Sequence, residues 1–367
     1  MKIVTVLGAR PQFIKAAAVS RAIFHHNCLA SKSQCISEVI LHTGQHYDKE
    51  MSSVFFQELH IPNPAYNLGI GSGGHGRQTG QMLAGIEDVL LQEKPDCVFI
   101  YGDTNSTLAG ALAAAKLHFP IVHVEAGLRS FNRLMPEEIN RVLADHLSEL
   151  LLCPSQVAVN NLAMEGITKG VRIVGDVMAD AFRFAAAKLD KKMEVLSRFQ
   201  IEEKRYYLAT LHRAENTDHP ERLGRIMQAF SKIAEQETVI LPLHPRTKKI
   251  LGDKLGEYPP ALQVIDPVGY FDIVALQHSA LMILTDSGGM QKEAYWSKVP
   301  CVTLRDQTEW VETVEAGWNR LVGAEYDRII ETVDTFKTPV EHPLLYGDGH
   351  AAEKIIDILL EKYAKKV

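Results

Sequence analysis

The chain has 367 residues, 46% of them hydrophobic and 23% charged. Those are the proportions of an ordinary globular protein with room for about two cores at roughly 150 residues each, and they exclude a disordered or fibrous chain. With 39 Lys and Arg against 45 Asp and Glu, the net charge is −6, which argues against a general nucleic-acid or anionic-membrane binder but leaves room for a local basic pocket.

The predicted elements alternate strand and helix from end to end. The N-terminal run 3–7 is too short for a signal-peptide core and reads as a first β-strand. Further β-branched runs at 38–41, 97–101, 121–124, 150–153 and 171–174 read as strands, with helical periods at 13–25, 104–117 and 136–150 between them. The charged segment 188–205 reads as a surface helix leading into a second series, with strands at 206–210, 239–243, 264–265, 281–285, 301–304 and 319–322. A last helix, 351–365, carries an apolar stripe at Ile355, Ile356, Leu359 and Leu360. Near-continuous apolar strands separated by helices predict parallel sheets covered on both faces. The fold class is therefore α/β with two Rossmann-like doubly wound domains. The first spans 1–172, with helix 350–367 packing back on it, and the second spans 173–349.

No apolar stretch approaches the roughly 18 residues of a membrane span. The five cysteines form no C-x-x-C pair and read as reduced, mostly core thiols of a cytoplasmic protein.

Ligands of open α/β sheets sit beyond the carboxyl ends of the strands, so the residues that follow each strand are the candidates. After the first strand, Gly8-Ala9-Arg10-Pro11-Gln12-Phe13-Ile14-Lys15 combines a glycine turn, a helix start and two cations, Arg10 and Lys15, which suits an anion. A tight turn with a solvated arginine is the alternative, and the spacing is not G-x-G-x-x-G. After the strand at 97–101, Asp103 is either a plain N-cap or a carboxylate at the sheet edge. The strand at 121–124 runs into Glu125, which puts two carboxylates at one edge. Met135-Pro136-Glu137-Glu138 opens a helix, where proline and acids are ordinary; Glu137 gains interest only as a third acidic site at that edge.

The second series repeats the logic with opposite charge. His212 and Arg213 follow its first strand, and His244 and Arg246 its second. Ser287-Gly288-Gly289 follows the strand at 281–285, where N–H groups at a helix start can hold a phosphate, and Glu293, one turn on, can accept from ribose hydroxyls. A flexible glycine turn is the plainer alternative. The glycine-rich tract 69–77 follows no clear strand and reads as a mobile surface loop. His42 and His46 lie in a turn and do not make a helical metal pair, and no cluster has metal-ligand spacing. Ser287 lacks the G-x-S-x-G setting of a hydrolase nucleophile.

Seven blocks carry a resemblance: GARPQFIK (8–15), GDTNSTLAGALA (102–113), HVEAGLRS (123–130), MPEEINR (135–141), LHRAEN (211–216), LTDSGG (284–289) and YGDG (346–349). In that order the chain resembles the non-hydrolysing UDP-N-acetylglucosamine 2-epimerases along nearly its whole length. The resemblance implies a glycosyltransferase-B-like fold with the active site in the interdomain cleft, a cytosolic homodimer, and no need of metal or NAD. The forms GARPQF, SFNRLMPEEINR and RDQTEWVET (305–313), with Trp310-Val311 in place of Arg-Pro, look closer to the UDP-2,3-diacetamido-2,3-dideoxyglucuronate 2-epimerases of surface-polysaccharide synthesis.

The implied reaction inverts C2 by anti-elimination of UDP and re-addition, through a 2-acetamidoglucal-type intermediate. Its substrate is UDP-N-acetylglucosamine, giving UDP-N-acetylmannosamine, or the diacetamido-glucuronate analogue. Asp103 and Glu137 are expected on opposite faces of C2, with Glu125 orienting one of them and His212 at the leaving phosphate. The expected substrate-binding set is Arg10, Lys15, Arg213, His244, Tyr270, Phe271, Ser287, Gly288, Gly289 and Glu293. Gln45, Arg77, Glu138, Arg213 and His244 look similar to positions at which some members bind UDP-N-acetylglucosamine as an allosteric activator, with Asp48 in place of a glutamine there. The rival readings are a glycosyltransferase of the same fold, a hydrolysing 2-epimerase and a non-catalytic UDP-sugar sensor.

Overall fold

A computed structural model describes residues 1–32, 34–44, 61–188, 192–243 and 245–363, with backbone only at 10, 245 and 246. The chain divides into two compact units, Met1–Arg183 with Tyr346–Val367, and Phe184–Leu345.

The first unit runs β1 (Lys2–Leu7), α1 (Arg10–Leu29), β2 (Ser37–His42), β3 (Tyr66–Asn67), α2 (His75–Glu93), β4 (Cys97–Tyr101), α3 (Asn105–Lys116), β5 (Ile121–Val124), α4 (Pro136–Leu147), β6 (Leu150–Cys153), α5 (Gln156–Met164), β7 (Val171–Ile173) and α6 (Val177–Ala186). Its strands pair in parallel in the order β3-β2-β1-β4-β5-β6-β7. Every residue of β4 and β5 is buried, as expected for strands covered by helices on both faces. Val4, Val6, Val98 and Ile100 pack against Ala109 and Ala113 of α3 and against Met82 and Ile86 of α2. The alanines let α3 lie close to the sheet.

The second unit continues with α7 (Lys192–Arg198), β8 (Tyr206–Thr210), α8 (Ala214–Thr217), α9 (Pro220–Ile233), β9 (Thr238–Pro242), α10 (Pro245–Leu251), β10 (Leu262–Ile265), α11 (Tyr270–Ser279), β11 (Met282–Thr285), α12 (Gly288–Trp296), β12 (Cys301–Thr303), α13 (Val311–Glu315), β13 (Asn319–Leu321) and α14 (Tyr326–Thr335). Its sheet is parallel in the order β10-β9-β8-β11-β12-β13. The chain then returns to the first unit as α15 (Ala351–Tyr363), which packs on α1.

Residues 173–183 and 346–349, assigned from the sequence to the second domain, belong to the first unit. Asp176 N donates to the Tyr346 carbonyl over 2.9 Å, and the Asp180 carboxylate accepts from the N–H groups of Ala351 and Ala352 at the start of α15. Among its described residues the charged segment 188–205 holds only the seven-residue α7, which is followed by left-handed Gln200 and Lys204. The glycine-rich tract is a loop only to Gly74: His75, Gly76 and Arg77 open α2, and the tract follows the two-residue edge strand β3, too short to leave a sequence period. Among the described residues no helix is long and apolar enough to cross a membrane.

Candidate active site

In the first sheet the connections run outward in opposite directions from β1 and β4, so the switch point lies at their carboxyl ends, where open α/β sheets bind ligands. The turn after β1 is pinned there by Gln12. Its Oε1 accepts from Gly8 N (2.8 Å) and Ala9 N (3.0 Å), and its Nε2 donates to the Tyr101 carbonyl (2.8 Å) and Thr107 Oγ1 (3.0 Å). One amide thus joins the ends of β1 and β4. Gly8 is needed because an added Cβ would drive into the hydrogen-bonded pair Thr43 Oγ1 and Ser106 Oγ.

After β4, Gly102 takes φ +59° and Asp103 follows. The N-cap of α3 is Thr104, whose Oγ1 accepts from Thr107 N. Asp103 is therefore not the cap. Its Oδ2 instead accepts from Arg141 Nη2 over 2.5 Å. After β5, Glu125 sits at φ +71°, a left-handed conformation that costs a non-glycine residue about 1–3 kcal/mol. Its carboxylate pairs with Lys15 Nζ, and both side chains are nearly buried. In the first turn of α4 the two glutamates part company. Glu138 is buried and accepts from Ser130 N, Ser130 Oγ and Phe131 N, each at 2.9 Å, and from Arg141 at 3.2 Å. Glu137 is half-buried with no hydrogen-bond or ion-pair partner among the described residues.

The second unit assembles a cationic and N–H-rich counterpart after β8 and β11, also neighbours in their sheet. Asp286 is fully buried. It accepts from His212 N (3.1 Å), Arg213 N (2.9 Å) and Asn216 Nδ2 (3.3 Å), and it faces His212 Nδ1 at 3.2 Å. Burial alone would raise its pKa; His212 and the two backbone N–H groups outweigh that and hold it below the usual carboxylate range. With Nδ1 occupied, Nε2 is the imidazole nitrogen left for a ligand, and the side chain is 44% exposed. Ser287 is the N-cap of α12 but makes no side-chain cap bond, which leaves first-turn N–H groups for an anion. Gly288 lies against the Trp310 indole.

Among the remaining predicted residues, Glu293 is buried, accepting from Gln277 Nε2 (2.6 Å) and Tyr270 OH (3.4 Å). Tyr270 is buried and Phe271 packs near Phe184. Arg213 is half-buried. The side chain of Arg10, and His244, Gln45 and Asp48, lie outside the described residues. Among the described residues no three His, Cys, Asp or Glu side chains are grouped to hold a metal ion. Sequence reasoning passed over Gln12, Arg141 and Asp286. Asp286 alone had a signal, the same strand-end position that drew attention to Ser287.

The chain as a whole is similar to known proteins. The family model of the UDP-N-acetylglucosamine 2-epimerases matches residues 30–360. A UDP-N-acetylglucosamine 2-epimerase homolog of Methanococcus maripaludis is 53% identical over 98% of this chain and 99% of its own. The UDP-2,3-diacetamido-2,3-dideoxy-D-glucuronate 2-epimerase of Pseudomonas aeruginosa is 52% identical, with the same coverage of both chains. The crystal structure of Methanocaldococcus jannaschii UDP-N-acetylglucosamine 2-epimerase in complex with UDP-N-acetylglucosamine and UDP matches with a TM-score of 0.90 at 46% identity, over 98% of this chain and 100% of that one. The fold is thus the glycosyltransferase-B-like fold expected from the motifs, and this chain belongs to the UDP-N-acetylglucosamine 2-epimerase family.

Proposed function

We propose that the chain is an isomerase, a non-hydrolysing 2-epimerase of UDP-2-acetamido sugars. One observation carries the reading. Asp103 and Glu125 follow neighbouring strands at one sheet edge, while His212 and the Ser287 helix start follow neighbouring strands at the corresponding edge of the other sheet.

The chemistry explains why both sets are needed. A sugar C2–H bond is too weakly acidic for a carboxylate to break unaided. Positive charge at C1 makes the proton removable as UDP departs with the bonding electrons. The proton passes to a carboxylate and a C1=C2 double bond forms. UDP then re-adds at C1 while a second carboxylic acid protonates the opposite face of C2. No oxidant and no water enters the balance. His212, Arg213 and the α12 N–H groups offset the diphosphate charge, the kind of preorganised electrostatics that is usually the largest catalytic term. Asp103 and Glu137 exchange protons on opposite faces, and Glu125, clamped by Lys15, orients one of them. The reading requires one UDP-sugar to engage both sets.

The substrate is UDP-N-acetylglucosamine or its 2,3-diacetamido-glucuronate analogue, the sugars named for its relatives, and the product serves surface-polysaccharide synthesis in the cytoplasm. A homodimer completes the reading, to be checked by light scattering. Activation by UDP-N-acetylglucosamine would have to recruit Glu138, whose carboxylate already serves Ser130, Phe131 and Arg141.

The deciding experiment incubates the protein with each sugar nucleotide in D2O without acceptor and follows proton NMR. A new UDP-sugar carrying deuterium at C2 is expected from one of them. Retained protium at C2 rejects proton exchange, free sugar plus UDP indicates a hydrolysing epimerase, and no change points to a transferase or a sensor.

A further inference from the structure

Behind the carboxylates of the first unit lies a buried charge relay. His123, on β5, is fully buried, and Asp145, in the last turn of α4, is 1% exposed. His123 Nε2 stands 2.8 Å from the Gly102 carbonyl and Nδ1 2.7 Å from Asp145 Oδ1. A carbonyl oxygen can only accept, so Nε2 carries a proton. The other Asp145 oxygen accepts from Gly127 N (3.1 Å) and Arg129 Nη1 (2.7 Å), and Arg129 is fixed by two 2.7 Å bonds to Glu165. A guanidinium on that oxygen favours the ionised carboxylate. Burial by itself would raise the Asp145 pKa; the charges of His123 and Arg129 outweigh it and hold the group below its ordinary range. His123 therefore bridges a carboxylate and a peptide carbonyl through its two ring nitrogens.

The bridged groups are the turns that carry the acids. Gly102 is tied to β5 at both ends, its N–H donating to the Val124 carbonyl (3.0 Å) and its own carbonyl accepting from His123. Asp103 is the next residue. Gly127, held by Asp145 through its N–H, lies two residues after the left-handed Glu125. One carboxylate thus reaches the Asp103 turn through His123 and the Glu125 turn through Gly127, while lying too deep to touch a substrate.

We propose that Asp145 is a positioning residue of the epimerisation, holding the Asp103 and Glu125 turns, through His123 and Gly127, in the geometry that proton transfer at C2 requires. The proposal takes its consequence from the epimerase reading and its placement from the geometry alone. A 1 Å misplacement of a reacting group can cost roughly 10²-fold in rate. Asp145→Asn replaces the acceptor facing Nδ1 with an amide and should lower kcat by about that factor, with KM and UDP affinity unchanged and activity partly rescued in Asp145→Glu.

The companion measurement uses the unaltered protein and so does not depend on a variant folding. In protein labelled with 15N-histidine, one imidazole should show a ring N–H proton protected from solvent exchange. Finding no such ring, or finding kcat unchanged in Asp145→Asn, overturns the proposal. So does a loss of UDP affinity that parallels the loss of kcat. If the protein forms no C2 epimer from either sugar nucleotide, the functional reading fails, and the NMR result still reports on the relay.

Discussion

Arg141 donates to the Asp103 carboxylate over 2.5 Å and reaches Glu138 at 3.2 Å with its other terminal nitrogen. One buried guanidinium therefore ties the first turn of α4 to the turn after β4. It also engages the Asp103 side chain, while the N-cap of α3 is Thr104.

Asp103 and Glu137 then differ in setting, and the proposed mechanism gives both the same task. Asp103→Asn and Glu137→Gln should each lower kcat by roughly 10²- to 10⁴-fold, the range of a general acid–base contribution. UDP affinity, measured by calorimetry, should persist because the donors proposed for the diphosphate lie in the other unit. A variant that turns over normally removes that carboxylate from the chemistry.

Asp286 makes stability depend on acid. Its pKa in the folded state lies below the ordinary value of about 3.9. Its contribution is thus fully present above the unfolded value and drains away as pH falls through the folded one. Asp286→Asn should lower the thermal midpoint at neutral pH. The gap to the parent protein should begin to narrow below about pH 4, where the unfolded chain's carboxyl takes up a proton, and close as the folded carboxyl follows at lower pH. A gap that is constant with pH would contradict this.

Thiol reactivity should separate by depth. Burial pushes the pKa of Cys97, Cys153 and Cys301 up to about 12, so they hold too little thiolate to react. Cys28 is exposed and Cys35 partly so. A thiol reagent should therefore titrate two groups in the native protein and all five after denaturation, and a fast third group would show that one of the strand thiols is reachable.

Gly8→Ala should destabilise the first unit by about 1–3 kcal/mol, the usual range for overpacking. Its methyl group would separate Thr43 from Ser106, which are hydrogen-bonded at 2.8 Å. The thermal midpoint should fall, and a variant as stable as the parent would mean that the turn after β1 relaxes freely.

The strand-end rule found Asp103, Glu125, His212 and Ser287 because each follows an apolar run that any reader of the sequence can see. It could not choose among their roles. Glu137 and Glu138 look alike in sequence, yet neighbours on a helix point about 100° apart. One is buried under four donors and the other has no partner among the described residues. Glu293 follows a phosphate-type helix start, yet its carboxylate serves Gln277 and Tyr270 from a neighbouring helix.

The sequence by itself determined the class of fold, the two sheets, the sites at their carboxyl edges and the family. Those follow from local periods, from turn chemistry and from motifs contiguous in the chain. Only the tertiary structure decided which charges are paired and which hold the backbone. Lys15 meets Glu125, Arg141 meets Asp103, and Asp145 meets His123 across long stretches of chain. Such pairings depend on how helices pack over a sheet, and no local pattern of residues encodes that.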